Sequence, residues 1–168
     1  VFSKGFHPLP RISFGFPPPV GIESEEEYVD FEIYGSFHSG FVSNLNSQLP
    51  EGIKLINARE IPLNLPSIYS STKGFVYHYI LLDGLLAEKE IREKLNSFIS
   101  SPPSIDGKNL KEFFSELCME GNSIKVFLNV LSEKTINPYQ FISLLLGLPQ
   151  DKIIDKINIK RVSTLLVY

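Results

Sequence analysis

Lys4, His7 and Arg11 are the first residues along the chain that could do chemistry, and no acidic residue stands near them before Glu23. Gly5 and Gly15 lack a Cβ, so backbone amides there can approach a ligand closely. Cations together with accessible amides suit an anion, either a phosphate group or an RNA backbone. Lys4, Gly5, His7 and Arg11 are therefore the anion- or RNA-binding candidates. The competing explanation is a loop that packs its prolines and aromatics and leaves three charges in water, where Lys and Arg usually sit. A second candidate is aromatic. Phe75, Tyr77 and Tyr79 alternate along one strand and share a face, a possible stacking face of the kind on which RNA-binding sheets hold bases. The strand signature of those RNA binders is absent, and rings on one face also fill cores or seams between modules.

Other chemistry finds little support. His7, His38 and His78 are scattered, and none has a ligand partner two to four residues on, so no metal site is expected. Cys118 lies between Leu117 and Met119 in a strand-like stretch and is expected to be buried and inert. Neither a G-x-S-x-G elbow nor a G-x-x-x-x-G-K-[ST] loop occurs. No catalytic set is complete, no cofactor is implied, and the chain is not expected to be an enzyme on its own.

These residues sit in an ordinary globular composition, 43% hydrophobic and 21% charged over 168 residues. The net charge of −3 argues against a protein that coats nucleic acid wholesale, but not against a local basic patch. Up to Pro66 only Lys4, Arg11, Lys54 and Arg59 are basic, while Glu23 to Glu27 read as a solvated acidic turn. A single cysteine forms no intramolecular disulfide and fits a reducing compartment. With no membrane-length apolar run and no signal peptide, the cytoplasm is the expected location.

The elements that must position these residues follow from periodicity and punctuation. Residues 1–22 are rich in Gly and Pro around a short strand, Arg11-Ile12-Ser13-Phe14. A strand is expected over 28–34, a helix after Ser39 with Phe41, Val42, Leu45 and Leu49 on one side, and a strand over 53–61. Residues 62–71 read as a linker. Then come a strand from Phe75 to Leu82, a helix from 86 to 99, a helical turn near 109–114, and a hairpin of strands 115–120 and 123–131 about Gly121-Asn122. Asn137 caps a helix with Pro138 first and Gln140 completing a capping box; Gly147 and Pro149 close it. A long strand ends the chain, from about Ile153 to Val167. The reading is α+β: tandem ferredoxin-like modules, a ββαβ module over 1–66 lacking its opening strand and helix, and a complete βαββαβ module over 67–168. The alternative is one mixed sheet with helices on one face.

The string Ser3-Lys4-Gly5-Phe6-His7-Pro8-Leu9-Pro10-Arg11-Ile12-Ser13-Phe14, followed by Pro17 to Gly21 and Glu27-Tyr28-Val29-Asp30, resembles a bacterial family known as the radical-SAM-linked protein. The likeness is sharp over residues 2–34 and recognisable through Leu49-Pro50-Glu51-Gly52 and Ala58-Arg59-Glu60. After Ile61 it rests on Leu145-Leu146-Gly147-Leu148 and the basic final strand. The resemblance implies a domain fused to, or encoded beside, a radical SAM enzyme, near genes for an RNA-processing ribonuclease. It also implies a further strand and helix ahead of the string, so the chain is expected to be truncated at its N-terminus. Three functions follow. One is an accessory or substrate-binding module partnering a radical SAM enzyme, RNA being a candidate ligand. Another is a stand-alone RNA-processing or RNA-modifying enzyme with His7 as acid or base. The last is a protein-interaction adaptor.

Overall fold

Proline fixes φ and removes a ladder donor, and the strands among the proline-rich first residues are correspondingly short: β1 (Ile12–Phe14), β2 (Glu23–Ser24) and β3 (Val29–Phe31), followed by α1 (Phe41–Asn46). This computed structural model describes residues 1–167 except 5, 8, 83 and 106, and only the backbone of 108. A single turn, α2 (Ile68–Ser71), capped by the Ser67 hydroxyl, leads into β4 (Thr72–Leu81) and then α3 (Glu88–Ser100). The two-residue strands β5 (Ser104–Ile105) and β6 (Lys108–Asn109) and a 3-10 turn at Leu110–Phe113 lead to β7 (Phe114–Glu120). The chain ends with β8 (Ser123–Asn129), α4 (Pro138–Leu146), α5 (Gln150–Ile153) and β9 (Ile157–Leu166).

The main sheet runs β2-β9-β4-β8-β7. From β9 to β7 every neighbour is antiparallel; β2 adds itself parallel to β9, with Glu23 opposite Lys160 and Ser24 opposite Arg161. The β7–β8 hairpin turns at Gly121, whose φ of +60° suits a residue without Cβ. Helices α3 and α4 cover one face. Ile91, Leu95 and Phe98 from α3 and Phe141, Ile142, Leu145 and Leu146 from α4 are buried against Phe75, Tyr77, Tyr79, Ile124, Val126 and Leu128. Phe141 is the hinge of this packing, with Phe98 and Phe114 rings at 5.6 and 5.5 Å. Asn137 caps α4 by accepting from the Tyr139 and Gln140 amides, and Gly147 ends it at φ +62°.

The α+β class expected from the sequence is present. The tandem arrangement is not what residues 1–66 build. β1 and β3 pair with each other as a two-stranded ribbon, and β2 leaves for the sheet of the second half. The strand expected over 53–61 does not form. The Asn46 side chain takes both backbone groups of Leu55, donating to its carbonyl at 2.9 Å and accepting its amide at 2.7 Å. Ile53 and Ile56 remain largely exposed, and no strand among the described residues pairs with this segment. The final strand begins at Ile157 rather than near Ile153, since the preceding residues close α5.

Candidate functional site

The first eleven residues fold back as a hairpin. Phe2 bridges Pro10, the Ser3 amide donates to Leu9 (2.8 Å) and the Arg11 amide to Val1 (2.9 Å). Lys4, Phe6 and His7 occupy its tip, all exposed, with Phe6 wholly in solvent at 103%. Gly5 lies outside the described residues. Arg11 stands at the base, where its guanidinium donates to both carboxylate oxygens of Glu32 at 3.0 and 3.1 Å. Lys4 and His7 thus face water, while Arg11 already has its counter-charge in β3's neighbour.

What fastens this region to the sheet is Arg161, a buried cation on β9 that the sequence reading overlooked. Its side chain is 2% exposed. It donates to the Phe16 carbonyl (2.7 Å), the Ser24 hydroxyl (3.2 Å) and the Glu27 carboxylate, and lies 4.9 Å above the Phe75 ring. Phe16 stacks on Tyr69 at 3.9 Å and meets Phe75 edge-on. Glu26 accepts the Thr164 amide at 2.7 Å and also the Tyr28 hydroxyl. The acidic run is therefore in part a fastening, with Glu25 holding Lys160 at 2.6 Å as well. Position 161 gave one usable signal, an Arg in phase with Ile157 and Ile159, where the alternation calls for an apolar residue.

Phe75, Tyr77 and Tyr79 are 2, 3 and 0% exposed and face the helices, so their rings have no surface to offer a base. Burial pushes the Tyr77 phenol above its usual range, with Arg161 pulling the other way, and pushes Tyr79 well above it. The Tyr79 hydroxyl donates to the Pro138 carbonyl at 3.1 Å. Cys118, expected to be buried, is exposed, because β7 is the outer strand of the sheet.

If the odd positions of β4 are buried, its even positions must face the other way. Val76, His78 and Ile80 do, and are half-buried on the face without helices. The registers set His78 between Lys125 of β8 and Lys160 of β9, and Val76 beside Phe127. Elsewhere, a shallow cleft of about 400 Å³ lies between Leu85 and α5, where Asp151, Lys152, Asp155 and Lys156 alternate in sign and favour no ligand charge. Among the described residues no cluster of three or more His, Cys, Asp or Glu could hold a metal ion, and no helix is long and apolar enough to cross a membrane.

Residues 1–119, which carry the hairpin, the ribbon and β4, match the model of a family described as an uncharacterised protein conserved in bacteria (DUF2344). The chain belongs to this family. No curated protein and no solved structure matches it. The family's description names no reaction, ligand or partner.

Proposed function

We propose that this member of the family is an accessory, substrate-binding module that works in the cytoplasm beside a radical SAM enzyme and contacts RNA. The observation that carries the RNA part is the hairpin tip. Phe6 is wholly exposed between Lys4 and His7. An exposed ring flanked by a cation and an imidazole can stack on a base while touching its phosphate. The partner enzyme comes from the resemblance. We read Thr72–Leu166, with strands ordered β9-β4-β8-β7, as a ferredoxin-like sandwich on which this tip is mounted.

Purified chain should bind a labelled RNA, and the Lys4→Ala/Phe6→Ala/His7→Ala variant should bind it at least about tenfold more weakly, the loss of one stacked base and a phosphate contact. Equal binding by the two proteins would remove the tip from the account. The tagged protein in its host should co-purify an iron–sulfur enzyme. An adaptor reading has one observation of its own: β1 and β3 pair only with each other, and Ile12 and Phe14 on that ribbon are exposed at 48 and 69%. Co-purification of the enzyme without any RNA binding would favour it.

A further inference from the structure

The helix-free face of the sheet joins residues far apart in sequence into one surface. Its inner strands β8, β4 and β9 contain no acidic residue, although the chain has 19. They do contain Lys125, His78 and Lys160, which the registers align in one row across the strands. Adjacent strands lie about 4.8 Å apart, so the two lysines are separated by roughly 10 Å, a span that one or two nucleotides of extended backbone cover. Phe127 stands one step along the sheet from this row, beside Val76. Its ring lies over Gly74: a Cβ there would come within 2.4 Å of the ring tip. Glycine in a strand marks such a close approach, and here it lets the ring lie down on the sheet. The neighbouring acids belong to the margins. Glu120 of β7 holds Lys125 loosely at 3.9 Å, Glu25, just past β2, holds Lys160 at 2.6 Å, and Glu23 of the edge strand β2 stands opposite Lys160.

We infer that this face is a platform for single-stranded RNA, with Phe127 stacking a base and Lys125, His78 and Lys160 tracking the phosphates. The inference rests on the reading of the chain as an RNA-contacting module and assigns a second surface, separate from the hairpin tip. The chemistry selects a single strand because a flat ring can stack only on an unpaired base, and because sheets of this element order read splayed-out bases on the face that helices leave open.

The test is fluorescence anisotropy of the whole chain with oligouridylate about ten nucleotides long, against a duplex of the same length. Phe127→Leu keeps an apolar side chain over Gly74 but removes the ring; binding should weaken about tenfold, and Phe127→Tyr should retain it. Lys125→Gln should flatten the slope of log affinity against log salt by about 0.7. If Phe127→Leu and Lys125→Gln bind as wild type does while the tip variant loses affinity, the platform is overturned and the accessory reading survives. Equal affinity for duplex also overturns it. If the wild-type chain binds no RNA at all, both fall.

Discussion

Glu27→Ala should destabilise the chain more than the position of Glu27 suggests. The carboxylate is 48% exposed, but its partner, the Arg161 guanidinium, is 2% exposed. Removing Glu27 strands that cation with two neutral acceptors, Phe16 O at 2.7 Å and Ser24 Oγ at 3.2 Å, and with the Phe75 ring. Breaking a buried pair from one side costs about 3–5 kcal/mol. The acceptors that remain, and the solvent already reaching Glu27, place the loss at the low end, about 3 kcal/mol. In a chain of this length that lowers Tm by about 6–12 °C. Arg161→Met is a different perturbation. It removes the charge itself, keeps most of the volume and returns Glu27 to water, so the main loss is the bond to the Phe16 carbonyl, about 1–3 kcal/mol. Glu27→Ala placed in the Arg161→Met background should then cost less than about 0.5 kcal/mol, as exposed substitutions do. Urea unfolding of the four proteins measures the cycle. If the two single losses simply add in the double variant, Arg161 and Glu27 are not coupled and the fastening lies elsewhere. Limited proteolysis gives a second reading, since Arg161→Met should open residues 14–28 to cleavage before global unfolding.

Gly74→Ala should cost about 1–3 kcal/mol by overpacking, seen as a lower Tm, because the new Cβ would lie 2.5 Å or less from the Phe127 ring and 2.6 Å from the Leu128 carbonyl; the ring can swing away, the strand backbone cannot. The alkaline limb of stability should come from Tyr77 and Tyr79. Both are raised in the fold by burial, so the stability held by their neutral phenols is whole below about pH 10 and is lost as pH rises towards the folded-state values. Absorbance at 295 nm should show two of the seven tyrosines ionising only with loss of the far-UV signal. Complete ionisation of a chain that keeps its native far-UV spectrum would contradict their burial.

The second half of the fold was legible because each signal there was local and agreed with the packing. Alternation from Phe75 to Leu81, the Gly121-Asn122 turn and the Asn137-Pro138 cap are set by residues within a few positions of one another, and each appears as expected. In the first half, β1, β3 and α1 fall where the sequence placed them, but their pairing and the fate of residues 53–61 were not legible, because a strand-like run states only that a segment could be half-buried. Residues 53–61 are apolar enough to read as a strand, yet Asn46 satisfies the Leu55 backbone and no strand among the described residues pairs with them. Of the site, the exposure of Lys4 and His7 follows from a Gly- and Pro-rich loop, whereas the Arg11–Glu32 bond needs a pairing of β1 with β3 that no local pattern specifies. The aromatic triplet was visible but its side of the sheet was not: two faces of one strand look alike until the helices choose between them. That choice buried Phe75, Tyr77 and Tyr79 and left His78 outside.

The family match ends at Met119, inside β7, and this boundary does not coincide with a physical one. β4 lies within the matched region, but both of its ladders run to strands outside it, β8 and β9. Phe75 and Tyr79 are also matched, yet Tyr79 packs on Phe141 and hydrogen-bonds the Pro138 carbonyl, both beyond the match. Glu27 is matched and Arg161 is not. Cut at 119, β4 would keep a buried aromatic face with nothing to bury it and a row of backbone groups with no partners, each costing about as much as a lost hydrogen bond. The matched residues therefore share sequence features without being a folding unit. β8, α4 and β9 are the frame that holds them: they supply both ladders of β4, the Phe141 contact to Tyr79 and the buried cation opposite Glu27. A hairpin tip mounted on such a frame can change what it touches without disturbing the core, since Lys4, Phe6 and His7 meet solvent, whereas the ribbon is tied inward by Asp30, which accepts the amide of buried Ile68 at 2.9 Å.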